Sequence, residues 1–163
     1  MTATNFTLSP GIELLNEKKL VGLHLTMSLA ANRTPELWKN FMPRRNEIVN
    51  KKSGDFFSLQ IYNFNHFSNF SVNNEFEKWA CVEVSDFNPI PTGMDPLTLQ
   101  GGLYAVFEHK GSSTDHRIFD HIFGTWLPGS AYTLDNRPHF EVLGEKYKNN
   151  DPNSEEEIWI PIK

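Results

Sequence analysis

Apolar residues recur at every second position along much of the chain, most clearly over 18–29, where Val21, Leu23 and Leu25 fall on one face of an extended segment. A period of two residues is typical of a strand with one buried face. The pattern predicts six strands, over 18–29, 56–62, 78–86, 98–111, 138–147 and 156–162.

Two segments follow the helical period instead. The first begins at Thr34-Pro35, a capping residue followed by a first-turn proline, and Pro43 predicts an irregularity inside it. The second covers 113–127. The apolar faces consist of Leu37, Trp38, Phe41, Ile48 and Val49 in the first helix and of Ile118, Phe119, Ile122, Phe123 and Trp126 in the second.

The order strand, helix, strand, strand occurs twice, over about 18–86 and 97–163, on either side of a proline-rich linker at 87–96. Such a repeat predicts an α+β fold with tandem βαββ units, an antiparallel sheet and two main helices. We expect residues 1–163 to form a single domain built from these two pseudo-repeats.

Two helices can cover only one face of such a sheet, and antiparallel sheets often leave the other face free. By alternation, the free face would combine aromatic rings with carboxylates and hold almost no basic residues. Its members would be Gln60, Tyr62, Trp79, Cys81, Glu83, Glu141, Leu143, Glu157 and Trp159, joined by Tyr104, Val106 and Glu108 from a strand that is apolar on both faces.

Glu141 is the unusual member of this set, because its flanking residues in the predicted strand are apolar. A half-buried carboxylate attracts a positive group, and rings add apolar area and cation–π attraction. The pattern therefore predicts a site for a bulky, hydrophobic, cationic small molecule. Its ligand-binding residues would be Glu141, Trp79, Tyr104, Tyr62 and Trp159.

A structural interpretation of the same residues stays open. Trp79 and Trp159 would then fill a core between sheets, and Glu141 would pair with Arg137 or with a lysine at the rim.

Net charge and composition exclude several classes of protein. The chain has 15 basic and 20 acidic residues, a net charge of −5, whereas nucleic-acid binding needs clustered cations. No apolar run approaches the roughly 18 residues that span a bilayer, and the N-terminus lacks the pattern of a secretory signal. With Cys81 as its one cysteine, the chain is expected to be cytoplasmic, with neither nucleic acid nor membrane as a direct partner.

Metal and cofactor motifs are missing from the sequence. The six histidines show no ligand spacing, and "KGSSTDH" lacks the ending of a phosphate-binding loop. We expect no metal and no cofactor.

Several motifs in the second half resemble the GyrI-like family, also called the AraC-type effector-binding domains, a family associated with multidrug binding. They are Gly102-Leu103-Tyr104-Ala105 with His109-Lys110-Gly111, Trp126-Leu127-Pro128-x-Ser130-x-Tyr132, Arg137-Pro138-x-Phe140-Glu141, and Ile158-Trp159-Ile160-Pro161-Ile162. The first half resembles the family mainly in the order of its elements.

The resemblance implies two βαββ units around a central ligand cleft that binds bulky, often aromatic and cationic molecules. It also implies that the glutamate of the Pro-x-Phe-Glu motif, here Glu141, meets the ligand. Leu143 departs from the family, since many members have a tyrosine there, so the ligand chemistry of other members does not transfer. The resemblance further suggests a stand-alone form without a DNA-binding arm.

Three functions stay open at this point. The first is sensing or sequestration of a small molecule. The second is hydrolysis of reactive, cyclopropane-containing compounds, as in similar stand-alone members, with Glu141 as general acid or base and Tyr104 or Tyr62 as proton donor. The third is inhibition of a protein partner such as a topoisomerase. Turnover that is lost in Glu141→Gln would single out the enzyme.

Overall fold

The computed structural model of the chain describes residues 9–112, 115–148 and 151–163. Within these ranges, the strands form one antiparallel sheet in the order β1-β6-β8-β7-β3-β4-β2-β5. The strands are β1 (Gly11–Leu15), β2 (Lys18–Met27), β3 (Phe56–Ile61), β4 (Phe76–Val84), β5 (Asp95–Leu99), β6 (Gly102–Lys110), β7 (His139–Leu143) and β8 (Glu155–Pro161).

Among the described residues, two helical segments connect strands. Helix α1 (Thr34–Phe41) continues into a 3₁₀ turn (Met42–Glu47), and this change at Pro43 confirms the predicted irregularity. Val49 lies beyond the helix and is 74% exposed, so its predicted place on the apolar face is wrong.

Helix α2 (Arg117–His121) continues into a π turn (Ile122–Trp126) and a short helix α3 (Leu127–Gly129). The predicted start of this helix at 113–114 lies outside the described residues. No helix in the described ranges has the length and apolarity needed to cross a membrane. The orders β2-α1-β3-β4 and β6-α2-β7-β8 confirm the predicted α+β fold with tandem βαββ units.

Two short links force the sheet to curl. Only Asn16 and Glu17 join β1 to β2, although β1 is the first strand of the sheet and β2 the seventh. In a flat sheet these strands would be about 29 Å apart, whereas such a link spans about 10 Å. Gln100 and Gly101 make the matching link from β5 to β6, and a Cβ on Gly101 would lie 2.5 Å from a backbone oxygen of β1. The sheet therefore bends into a half-barrel.

The face inside the curl, called the inner face below, is a filled core. It contains residues from both edge strands, which could not meet in a flat sheet. The buried cluster consists of Leu15, Leu20, Phe57, Leu59, Trp79, Cys81, Leu99, Tyr104 and Phe140, with Trp159 packed against it.

The opposite face, called the outer face below, carries the helices. Helix α1 covers a cluster of Val21, Leu37, Phe41, Ile48, Ala80, Val82, Val84 and Met94. Helix α2 and its π turn cover a second cluster of Ala105, Phe107, Ile118, Ile122, Ile158, Ile160 and Ile162. Between the two clusters, β3 and β7 present polar side chains, namely Ser58, Gln60, His139 and Glu141, and this region is called the outer-face gap.

The expectation of one free sheet face is therefore wrong. β4 shows the reason, because Trp79 and Cys81 are buried on its inner face while Ala80 and Val82 are buried on its outer face. The curl fills one side of the central strands, and the helices cover much of the other. The outer-face gap is the place where polar side chains meet between the two covered clusters.

Candidate functional site

Glu141 lies at the centre of the outer-face gap. The sheet register sets it beside Ser58 of β3 and Ile158 of β8. The residue is half-buried, and Gln60 Nε2 donates a hydrogen bond to Glu141 Oε2 at 3.1 Å. The carboxylate is thus removed from most of the solvent but retains unused acceptor capacity.

Burial is the main influence on the acidity of this carboxyl group and raises the pKa of Glu141. The positive charge of Lys78 acts in the opposite direction, and the charge of Glu156 adds to the increase. The hydrogen bond from Gln60 favours the ionised form. A carboxyl group with a raised pKa in a sheltered position is a frequent feature of ligand and catalytic sites.

Lys78 faces the same gap from β4. It pairs in register with Gln60 and lies on the same face as Ala80. Lys78 is only 7% exposed, and within the described residues it makes neither a hydrogen bond nor an ion pair within 4.0 Å. Burial lowers the pKa of Lys78, while the charges of Glu141 and Glu156 raise it. The amine is therefore within electrostatic reach of two carboxylates and is bonded to neither.

Aromatic rings line the gap next to Glu141. The ring centroids of Tyr62 and His139 are 4.8 Å apart. Phe67, from the loop between β3 and β4, lies nearly parallel to His139 at 5.4 Å and to Phe123 at 5.3 Å. Burial, together with the charge of Glu141, raises the pKa of Tyr62, so this phenol is in the electrostatic environment of the carboxylate.

Of the predicted contact residues, the structure places Tyr62 against His139 and within the electrostatic influence of Glu141, and it places the other three elsewhere. Trp79, Tyr104 and Trp159 lie on the inner face, so the sheet separates them from Glu141. The prediction that the five share one face is wrong. Strands that are apolar on both faces do not reveal by alternation which side is inside.

The two tryptophans stack within the protein itself. Trp159 lies 5.3 Å from Phe140 with nearly parallel rings, and Trp79 lies 4.3 Å from His24 in the same manner. The structural interpretation holds in part, because Trp79 is buried in a core and half-buried Trp159 packs against it, but this core lies inside one curled sheet rather than between two sheets.

The predicted catalytic pair of Glu141 and Tyr104 is not brought together either. The hydroxyl group of Tyr104 donates a hydrogen bond to the backbone oxygen of Pro138 at 2.8 Å, and the guanidinium of Arg137 lies 4.7 Å from its ring centroid. Burial raises the pKa of Tyr104 to about 12. The charge of Glu141 acts instead on Tyr62, whose pKa it raises.

Arg137 does not neutralise Glu141. Its Nε donates to Asp135 Oδ2 at 2.7 Å, and its Nη2 donates to the backbone oxygens of Leu103 and Ile162 at 2.6 and 2.9 Å. The arginine of the Arg137-Pro138-x-Phe140-Glu141 motif thus ties the start of β7 to β6 and to the end of the chain. The alternative pairing of Glu141 with Arg137 is wrong.

Sequence reasoning missed Lys78, Phe67 and His139, and it placed Gln60 on the free face without giving it a role in the site. Lys78 could have been noticed from the sequence. It is a charged residue on the same strand face as apolar Ala80, just as Glu141 is a charged residue among apolar residues in β7. Phe67 could not have been noticed in this way, because the loop that carries it has no periodic pattern.

A polar depression of about 360 Å³ lies on the loop between β3 and β4. Its lining consists of Asn63, Asn65, His66, Asn69, Asn73, Asn74 and Glu75. Glu141 is not among them, but the ring of His66 lies 4.5 Å from that of Tyr62. In the described part of the chain, no group of three or more His, Cys, Asp or Glu side chains is arranged to hold a metal ion.

The burial of His139 predicts a pH effect on stability. Burial, with the nearby His66 adding to it, lowers the pKa of His139 from 6.5 to about 3. The fold therefore favours the neutral ring, so this contribution to stability is complete above pH 6.5 and is lost as the pH falls towards 3. The shift corresponds to about 4–5 kcal/mol.

The free energy of unfolding should decrease between pH 7 and pH 3 in the wild type. We expect a smaller decrease in His139→Phe, because phenylalanine takes up no proton. Denaturant titrations at each pH measure both decreases. His116→Phe, which replaces an exposed histidine, serves as the control. Equal pH dependence in the wild type and in His139→Phe would contradict the assignment.

Comparisons with known proteins agree with the fold. The chain is 29% identical over 145 residues to the transcriptional regulator BrlR of Pseudomonas aeruginosa, an alignment that covers 88% of this chain and 51% of BrlR. The chain therefore spans about half the length of this curated relative.

Two solved structures share the fold. SAV2435 bound to tetraphenylphosphonium gives a TM-score of 0.71 at 18% identity, covering 94% of this chain and 93% of that chain. The integron cassette protein VCH_CASS2 of Vibrio cholerae gives a TM-score of 0.61 at 14% identity, covering 98% and 99%.

The family comparison covers nearly the whole described structure. Residues 11–162 match the model of the Cass2 family, described as integron-associated effector binding protein. The resemblance to effector-binding domains found in the sequence is thereby confirmed. The chain belongs to the Cass2 family of integron-associated effector binding proteins.

Proposed function

We propose that the protein binds a bulky aromatic small molecule in the outer-face gap, with Glu141 facing a positively charged or hydrogen-bond-donating group of that molecule. The observation that carries this proposal is the half-buried carboxylate beside parallel aromatic rings. Membership of an effector-binding family supports a small-molecule ligand. The hydrophobic cation named with SAV2435 supports the positive charge.

The contribution of Glu141 to affinity can be estimated from its surroundings. A hydrogen bond to a charged group contributes about 1.5–3 kcal/mol, which corresponds to a tenfold to hundredfold change in affinity. Stacking on an aromatic ring adds roughly 0.5–1.5 kcal/mol beyond the area that is buried. The carboxylate would therefore orient the ligand, and the nearly parallel rings of His139 and Phe123 would provide the surface on which it lies.

Phe67 holds the position that a flat ligand would take. Its ring lies parallel to those of Phe123 and His139, as an aromatic ligand would lie. A ligand that stacks there has to move Phe67 aside or replace it. The loop that carries Phe67 also exposes Phe64, which is 85% exposed and makes a suitable control position.

The first prediction from the proposed function concerns Glu141. Glu141→Gln should weaken the binding of rhodamine 123, a flat aromatic cation, by about tenfold or more, because the amide keeps the shape of the side chain but lacks the charge. Fluorescence anisotropy of the dye measures this change. Trp159→Phe should stay within about twofold of the wild type, since Trp159 lies on the inner face. Equal loss in the two variants, or none in Glu141→Gln, would refute the proposed site.

The second prediction concerns entry into the gap. Phe67→Ala should raise the association rate constant of the dye several-fold, because the ring no longer has to leave before the ligand stacks. Stopped-flow fluorescence measures this rate constant, with Phe64→Ala as the control on the same loop. An unchanged rate constant in Phe67→Ala would show that Phe67 does not occupy the ligand position.

A further inference from the structure

We infer that the outer-face gap selects zwitterionic aromatic molecules, with Lys78 binding the anionic group of a ligand whose positive or donor group faces Glu141. This inference rests on the proposed function and names the ligand class. It concerns Lys78, a residue that the binding of a simple cation would leave without a role.

The geometry separates the two charges across the gap. Lys78 belongs to β4 and Glu141 to β7, with β3 between them. Two strand spacings amount to roughly 9.6 Å, and the register adds an offset of two residues along the strands, because Lys78 shares its row with His139 and Glu141 shares its row with Ser58. Gln60 stands between the two residues, since it pairs in register with Lys78 and donates its amide hydrogen bond to Glu141. An amine and a carboxyl group are thus presented diagonally on one face, on either side of β3.

Lys78 is unusual in being sheltered without a partner. A lysine that is 7% exposed is ordinarily paired with a carboxylate, because an unpaired buried charge is costly. In the described part of the chain, its amine makes no hydrogen bond and no ion pair within 4.0 Å. An anionic group of a ligand would supply the missing partner.

The nearby carboxylates are already engaged. His109 Nδ1 lies 3.2 Å from Glu156 Oε1, and both side chains are buried. Glu141 accepts the hydrogen bond from Gln60. Both carboxylates act on Lys78 through space, but neither forms an ion pair with it. Their charges favour the protonated amine without forming an ion pair with it.

The two charges together set the preference for ligand charge. A ligand that carries only a positive charge is attracted by Glu141 and repelled by Lys78. A ligand that carries only a negative charge is attracted by Lys78 and repelled by Glu141. A zwitterion of matching orientation forms a charge-assisted contact with each residue. If Lys78 served only to offset the two carboxylates, an added anionic group on the ligand would bring no gain in affinity.

A matched pair of dyes tests this inference. Rhodamine 123 and rhodamine 110 share one aromatic skeleton, but rhodamine 123 is a methyl ester with a net positive charge and rhodamine 110 is the zwitterionic free acid. The ratio of their dissociation constants is measured by fluorescence anisotropy in the wild type, in Lys78→Met and in Lys39→Met. Lys39 is an exposed lysine of α1 and serves as the control. Because both dyes are measured on the same variant, changes in folding cancel in the ratio.

We expect the wild type and Lys39→Met to bind rhodamine 110 about tenfold more tightly than rhodamine 123, and Lys78→Met to lose this preference. Equal binding of the two dyes by the wild type, or tighter binding of rhodamine 123, would overturn the inference and leave the proposed function standing. A preference that survives in Lys78→Met would also overturn it. If neither dye binds, the proposed function fails and the inference fails with it.

Discussion

The curl of the sheet is the constraint from which the rest of this structure follows. Strands at opposite edges are joined by links of two residues, Asn16-Glu17 and Gln100-Gly101, so the edges cannot move apart. The inside of the curl is consequently filled by buried, mostly apolar side chains, and the helices have only the outer face on which to pack. Polar side chains of the central strands are left between the two helix-covered clusters, where the outer-face gap lies.

The electrostatics of this gap differ from those of an ordinary surface ion pair. Glu141 and Lys78 are both sheltered, and each shifts the pKa of the other towards the charged form, against the effect of burial. Two opposite charges held apart in this way remain available to a third molecule. The arrangement weakens the folded state relative to a well-packed apolar gap, since buried polar groups are costly unless satisfied. A cost of this kind is common where a protein binds a ligand.

Local patterns in the sequence predicted the six main strands and both helices, because alternation, prolines and apolar stripes depend on neighbouring residues. The strands β1 and β5 were missed, since they lie at the sheet edges and most of their residues are exposed. The sheet face on which Trp79 and Trp159 lie could not be predicted, because only contacts across the curl decide which apolar face is inside.

Glu141 was found because a charge among apolar residues is a local signal. Lys78 carries the same signal, but the predicted strand began at Lys78, where a charged residue is unremarkable, whereas β4 begins two residues earlier at Phe76. Phe67 and His139 come together with Phe123 only through tertiary packing. The sequence therefore predicted the residues of the site that have a local pattern. It did not predict the residues that join the site only through contacts between distant segments.

The central claim is that Glu141 is a sheltered carboxyl group under the influence of Lys78. Carbon-detected NMR of the Glu141 side chain, titrated with pH in the wild type and in Lys78→Met, tests it most directly. The account predicts a midpoint above the ordinary value of 4.5 in the wild type, and a still higher midpoint in Lys78→Met, because a nearby positive charge is removed while Glu156 remains. A midpoint at or below 4.5, or one that does not move when Lys78 is replaced, would contradict it.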